Sequence, residues 1–161
     1  MAHVTESMLI HLAGKVGALL LAQKQTIAVA ESCTGGYAAQ ILTALPGASA
    51  WFDRGFVTYS NAAKQEILHV PEHILSVYGA VSLETAQAMA SGALAQSHAD
   101  KAFAITGIAG PDGGTPEKPV GMVCFAWAKC DGENVSEVAY FSGNRRSIRR
   151  QAVAFALQGC L

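Results

Sequence analysis

The chain has 161 residues, of which 51% are hydrophobic and only 14% charged, and its formal net charge is −1. That much apolar material supports one domain with a real core and excludes a disordered chain. The near-neutral balance argues against a broad nucleic-acid footprint, so any anion must be met by a local cluster of cations.

In chain order, residues 5–22 read as an opening amphipathic helix with Thr5 as its N-cap. Residues 26–30 form a short β-prone run, and residues 37–45 carry apolar side chains at helical spacing (Tyr37, Ile41, Leu42, Leu45). A second strand is expected over residues 51–59, then a helix capped by Ser60 and running through Leu68. A short helix over 71–78 and an alanine-rich helix capped by Ser82 and running to about Ala95 follow. Residues 101–106 read as strand and residues 107–119 as a long loop rich in glycine and proline. Two further strands, 120–128 and 135–141, are joined across Asp131-Gly132 as a hairpin, and Asn144 caps a last helix that runs to the end of the chain. Early strands alternating with helices imply parallel crossovers, and the late hairpin adds an antiparallel pair. The expectation is a single domain over 1–161, with a mixed sheet of about five strands and helices on both faces. Ligands in such folds bind beyond the carboxyl ends of the strands.

The longest apolar stretch, residues 8–22, is interrupted by His11 and Lys15, is too short to span a bilayer, and has Glu6 rather than a basic flank. A soluble cytoplasmic protein with no membrane partner is expected. Cys33, Cys124, Cys130 and Cys160 form no Cys-x-x-Cys pair, which suits a reducing compartment. His69 and His73 have helical spacing, but Pro71 lies between them, so they read as surface histidines and no metal site is expected.

Four segments, each following a predicted strand, could carry chemistry. Glu31-Ser32-Cys33-Thr34-Gly35-Gly36 is a strand-to-helix turn that suits negative charge, either a phosphate or the oxyanion formed when Ser32 attacks a carbonyl. Ser32 reads as a nucleophile or as a helix cap, and Cys33 as a rival nucleophile or a small buried residue. In the second segment Tyr59 ends a strand and Lys64 falls early in the next helix, where the helix dipole and burial would favour the neutral amine. Lys64 is then either a general base or a solvated surface lysine. The third segment, Thr106 to Gly114, has glycines at 107, 110, 113 and 114 and suits either close backbone approach to a ligand or a plain crossover loop. The fourth opens the last helix with Arg145, Arg146, Arg149 and Arg150, which either clamp a phosphate monoester or form a solvated face. Arg145 and Arg149 are four residues apart on one helix face. Together the four fit hydrolysis of an acyl bond in a small phosphorylated substrate.

Ala30-Glu31-Ser32-Cys33-Thr34-Gly35-Gly36, Phe56-Val57-Thr58-Tyr59-Ser60-Asn61 with Lys64, Gly79-Ala80-Val81-Ser82, the run from Gly107 to Gly114, and Lys118-Pro119-Val120-Gly121 resemble the CinA C-terminal domain family, in order and over essentially the whole chain. The chain looks most like the stand-alone bacterial form, since larger members carry an additional N-terminal domain. The resemblance implies a three-layer α/β/α sandwich with a mixed, mostly parallel sheet. It also implies deamidation of nicotinamide mononucleotide to nicotinate mononucleotide and ammonia, in pyridine nucleotide salvage. The family's catalytic serine falls on Ser32, its lysine on Lys64 and its tyrosine on Tyr59; no metal or organic cofactor is implied, and a homo-oligomer is favoured. On this reading Lys64 takes the Ser32 proton directly or through Tyr59, and N–H groups at the start of the Gly36 helix, with the Gly107 loop, hold the oxyanion. Arg145 and Arg149 hold the 5′-phosphate, Thr106, Gly107 and Gly110 line the ribose or ring pocket, and Glu31 or Asp112 seats the cationic ring. Cys33, Thr34, Gly35 and Gly36 complete the expected substrate-binding set. The alternatives are a non-catalytic nucleotide-binding or regulatory module with the same loops, and an amidase using Cys33.

Overall fold

A computed structural model describes residues 3–161. Helix α1 (Glu6–Gln23) starts where the Thr5 hydroxyl accepts from the Met8 N–H at 3.2 Å, and ends at Lys24 in the left-handed region. Strand β1 (Ile27–Glu31) leads into α2 (Tyr37–Thr43) and a single 3-10 turn (Ala48–Ala50). Strand β2 (Phe52–Val57) is followed by α3 (Asn61–Leu68), α4 (Glu72–Tyr78) and α5 (Leu83–Ala95). Then come β3 (Lys101–Gly107), β4 (Met122–Lys129), β5 (Val135–Tyr140) and α6 (Arg145–Gln158). Among the described residues, no helix is long and apolar enough to cross a membrane.

The five strands form one sheet in the order β2-β1-β3-β4-β5. β1 pairs in parallel with both β2 and β3, while β4 is antiparallel to β3 and β5 antiparallel to β4. Four strands therefore point the same way and β4 alone opposes them, which gives the expected mixed, mostly parallel α/β sheet. The chain leaves β1 for β2 on one side and later places β3 on the other, so a switch point lies at the carboxyl end of β1. The loops after β1, β2, β3 and β5 all open at that edge.

The two faces of the sheet differ in bulk. Strand alternation sends Val29, Phe103, Ile105, Val123 and Phe125 toward α1, α2 and α6. The opposite face carries Ala28, Ala30, Ala102, Ala104, Cys124, Ala126 and Ala128 against α5, with α3 and α4 outside. The register lines these up as small-residue ladders, Ala28–Ala102–Ala128 and Ala30–Ala104–Ala126. With only methyl groups between them, α5 lies close on the sheet through Ala86, Met89, Ala90 and Ala93. The same economy holds between α5 and the end of α3, where a Cβ on Gly92 would sit 2.1 Å from the Leu68 carbonyl oxygen.

Candidate active site

The turn after β1 separates two neighbouring side chains. Glu31 points under α2, is fully buried, and fills its carboxylate with backbone donors. Its Oε2 accepts from Gly36 N–H at 3.1 Å and Ala38 N–H at 3.0 Å, and its Oε1 from Ala39 N–H at 2.8 Å. Gly35 and Gly36 adopt φ of 60° and 96°, the left-handed conformations that let the chain double back over its own carboxylate. Ser32 continues the line of β1, its N–H donating to Ile105 O at 3.0 Å.

Lys64 reaches Ser32 from the second turn of α3. The helix is aimed by Ser60, whose hydroxyl accepts from Ala63 N–H at 3.0 Å, as the sequence predicted. The Lys64 side chain then runs inward until only 1% of the residue is exposed. Nζ lies 3.0 Å from Ser32 Oγ, 3.0 Å from Thr58 O and 3.2 Å from Tyr59 O. No carboxylate forms an ion pair with it among the described residues. Burial without a counter-charge pushes the Lys64 pKa below the ordinary lysine value of 10.5, opposed only by the nearby Cys33. A neutral amine has two hydrogens and one lone pair. In that form the two carbonyls can take the hydrogens, which would leave the lone pair to accept from the serine hydroxyl.

Ser32 and Lys64 open onto a cavity of about 270 Å³ that also receives Tyr59, Thr106, Gly107 and Arg145. Arg145 Nη1 donates to Gly110 O at 2.9 Å and Nη2 to the Tyr59 hydroxyl at 3.2 Å, closing the cavity from the side of α6. Thr106 Oγ1 donates to Ala80 O at 2.6 Å, which fixes the 79–82 loop over the end of β3. Asp112 and Cys33 also border the space. Burial, with the Glu31 carboxylate adding to it, pushes the Cys33 thiol up to about 12, so it stays protonated and weakly nucleophilic at neutral pH.

With this geometry in place, comparison with known proteins is decisive: the model of the CinA C-terminal domain matches residues 9–161. The chain belongs to the CinA C-terminal domain family. Within it, the chain is 52% identical over 155 residues to the nicotinamide-nucleotide amidohydrolase PncC of Escherichia coli K12, covering 96% of this chain and 94% of that protein. It is 50% identical over 151 residues to the protein of the same name from Pseudomonas putida, covering 93% of each. Among solved structures, the competence/damage inducible protein CihA from Agrobacterium tumefaciens superposes with a TM-score of 0.92 at 41% identity, over 99% of this chain and 96% of that one.

Several residues expected at the site of this CinA-type domain are differently engaged. Glu31 is spent on α2 and does not border the cavity, so it cannot seat a substrate ring. For the same reason the N–H groups of Gly36, Ala38 and Ala39 are unavailable to an oxyanion. Tyr59 contributes its backbone carbonyl to Lys64, while the residue is 61% exposed and its hydroxyl faces Arg145; the amine–serine contact is direct, with no phenol between. Arg145 and Arg149 do not converge. One turn further along α6, Arg149 passes behind the turn and donates to Thr34 O at 2.6 Å, on the side where Gly35 and Gly36 also lie. The Thr58 carbonyl and the Ala80-Val81 wall had no assigned role in the sequence reading. A backbone acceptor leaves no mark in residue identity, although Gly79 to Ser82 stood out as a motif.

Proposed function

We propose that this chain is an amidohydrolase that deamidates nicotinamide mononucleotide to nicotinate mononucleotide and ammonia, with Ser32 as nucleophile and Lys64 as general base. The PncC relatives, named nicotinamide-nucleotide amidohydrolases, support the reaction class and substrate type. The observation that carries the mechanism is the 3.0 Å approach of a buried, uncompensated amine to the serine hydroxyl.

Ser32 Oγ attacks the carboxamide carbon as its proton moves to Lys64 Nζ. The carbonyl oxygen takes up the negative charge, and donors must come from N–H groups that Glu31 has not claimed. Cys33 and Gly107 supply candidates: both residues border the cavity, and the Cys33 N–H has no backbone acceptor among the described residues. The Gly107 N–H turns away from β4, because its neighbour Ile108 donates to Met122 and an antiparallel ladder alternates. The Lys64 ammonium then gives its proton to the leaving nitrogen, ammonia departs, and an acyl-Ser32 ester remains. Water activated by the same amine hydrolyses the ester and restores Ser32. Arg145 has guanidinium N–H groups beyond the two it spends on Gly110 and Tyr59, and these suit the 5′-phosphate. Asp112, a carboxylate bordering the cavity, is the candidate to meet the cationic ring.

The direct test is ammonia release from nicotinamide mononucleotide, with nicotinate mononucleotide identified as co-product. Ser32→Ala is expected to lower kcat by about 10⁴-fold or more while still binding the nucleotide. Turnover at the wild-type rate in that variant would overturn the mechanism; nucleotide binding by the wild type without any ammonia would favour a binding module instead.

A further inference from the structure

A second concavity, also about 270 Å³, opens on the outer side of the turn that carries Ser32. Gly35, Gly36 and Tyr37 border it together with the guanidinium-bearing residues Arg146, Arg149 and Arg150. It shares no lining residue with the Ser32 cavity. Arg146 and Arg150 also border an adjoining hollow of about 400 Å³ beside Asn144 and His3. Glu6 and Gln40 complete the first concavity, and Glu6 is an opposing charge there.

Three features point to a ligand. First, none of these arginines is in an ion pair among the described residues, where the sole salt bridge joins Arg54 to Asp53. Glu6 borders the same concavity, yet the three guanidiniums stand side by side with no ion pair among the described residues. Second, Arg146 stands in the first turn of α6, where the helix dipole already disfavours a cation. Third, Arg149 is fixed in advance, through its bond to Thr34 O and with its guanidinium carbon 6.0 Å from the centre of the Tyr37 ring. Its Nε is nevertheless buried with no acceptor. An orphaned, charged donor costs free energy until an acceptor reaches it.

We propose that this concavity is a second anion site, built for a phosphate group and separate from the cavity of Ser32. A tetrahedral dianion matches several converging guanidinium N–H donors better than a single carboxylate does. Through the Arg149–Thr34 bond, its occupant is joined to the backbone two residues beyond Ser32.

The experiment is calorimetric titration of the full chain carrying Arg145→Gln, which removes the guanidinium of the Ser32 cavity. Inorganic phosphate, pyrophosphate and a nucleoside 5′-monophosphate are compared at constant ionic strength against chloride. Phosphate is expected to bind in that background, and adding Arg146→Gln with Arg150→Gln should weaken it about tenfold or more. Arg150→Gln alone serves if the double change does not fold. Tighter binding of the nucleoside monophosphate than of inorganic phosphate, lost with the same arginines, assigns the site to an ester; equal binding assigns it to the free anion. No binding beyond chloride, or binding indifferent to Arg146 and Arg150, overturns the proposal. Neither result bears on ammonia release.

Discussion

Glu31 and Lys64 are both buried ionisable side chains at the carboxyl edge of one sheet, and they are treated in opposite ways. Glu31 receives three N–H groups from the start of α2, so its carboxylate completes a helix end that would otherwise hold orphaned donors. Lys64 receives two carbonyls and a hydroxyl, no carboxylate, and a pKa driven down by burial. The first arrangement stabilises the fold. The second costs stability and favours a neutral amine beside the serine hydroxyl. Burial alone therefore does not mark a functional group; the mismatch between a buried group and its partners does.

The strongest way to break the contrast is Lys64→Met. It should lower kcat by about 10²–10⁴-fold, the usual worth of a general base, while raising the unfolding free energy by about 1 kcal/mol or more at neutral pH. A variant that loses stability along with activity would make Lys64 structural. Glu31→Ala should do the reverse at the level of the fold. Three backbone donors lose a charged acceptor at once, and denaturant titration should show a loss of about 3 kcal/mol or more. Near-neutral stability in that variant would mean that α2 finds other caps.

The pH dependence sharpens the same comparison. Because the folded-state pKa of Lys64 lies below its unfolded value of 10.5, the native state binds fewer protons than the unfolded state between the two. Wild-type stability should therefore climb as pH rises through that window, and the advantage of Lys64→Met should shrink toward its alkaline end. In parallel, kcat/KM for the wild type should rise with pH to a plateau, with a midpoint below 10.5. A profile flat down to pH 5 would place the base elsewhere.

Much of this was legible in the sequence. Thr5, Ser60, Ser82 and Asn144 were read as helix caps, and each accepts the N–H three residues on. The apolar, β-prone run over 26–30 and the stretch over 101–106 were read as strands, and both are. Ser32 and Lys64 stood out because their positions after strands suggested what helix ends do to charge. The roles of Glu31 and Arg149 were not legible. The N–H groups of α2 looked free for a ligand because the sequence does not show that the strand's last side chain folds back onto them. Spacing of four put Arg145 and Arg149 on one helix face, but a turn of backbone stands between their head groups, and only coordinates show what a helix face confronts.

The alanine ladders on the thin side of the sheet have a consequence for how this protein can change. They act as a shim that sets the height of α5, and the 79–82 segment rides on the front of that helix with Ala80 fastened to Thr106. Thickening the shim by a methyl or two, as in Ala104→Val, would lift that roof from the wall beside Ser32 without touching any residue in the chamber. The width of the space beside Ser32 therefore has a lever buried in the middle of the sheet.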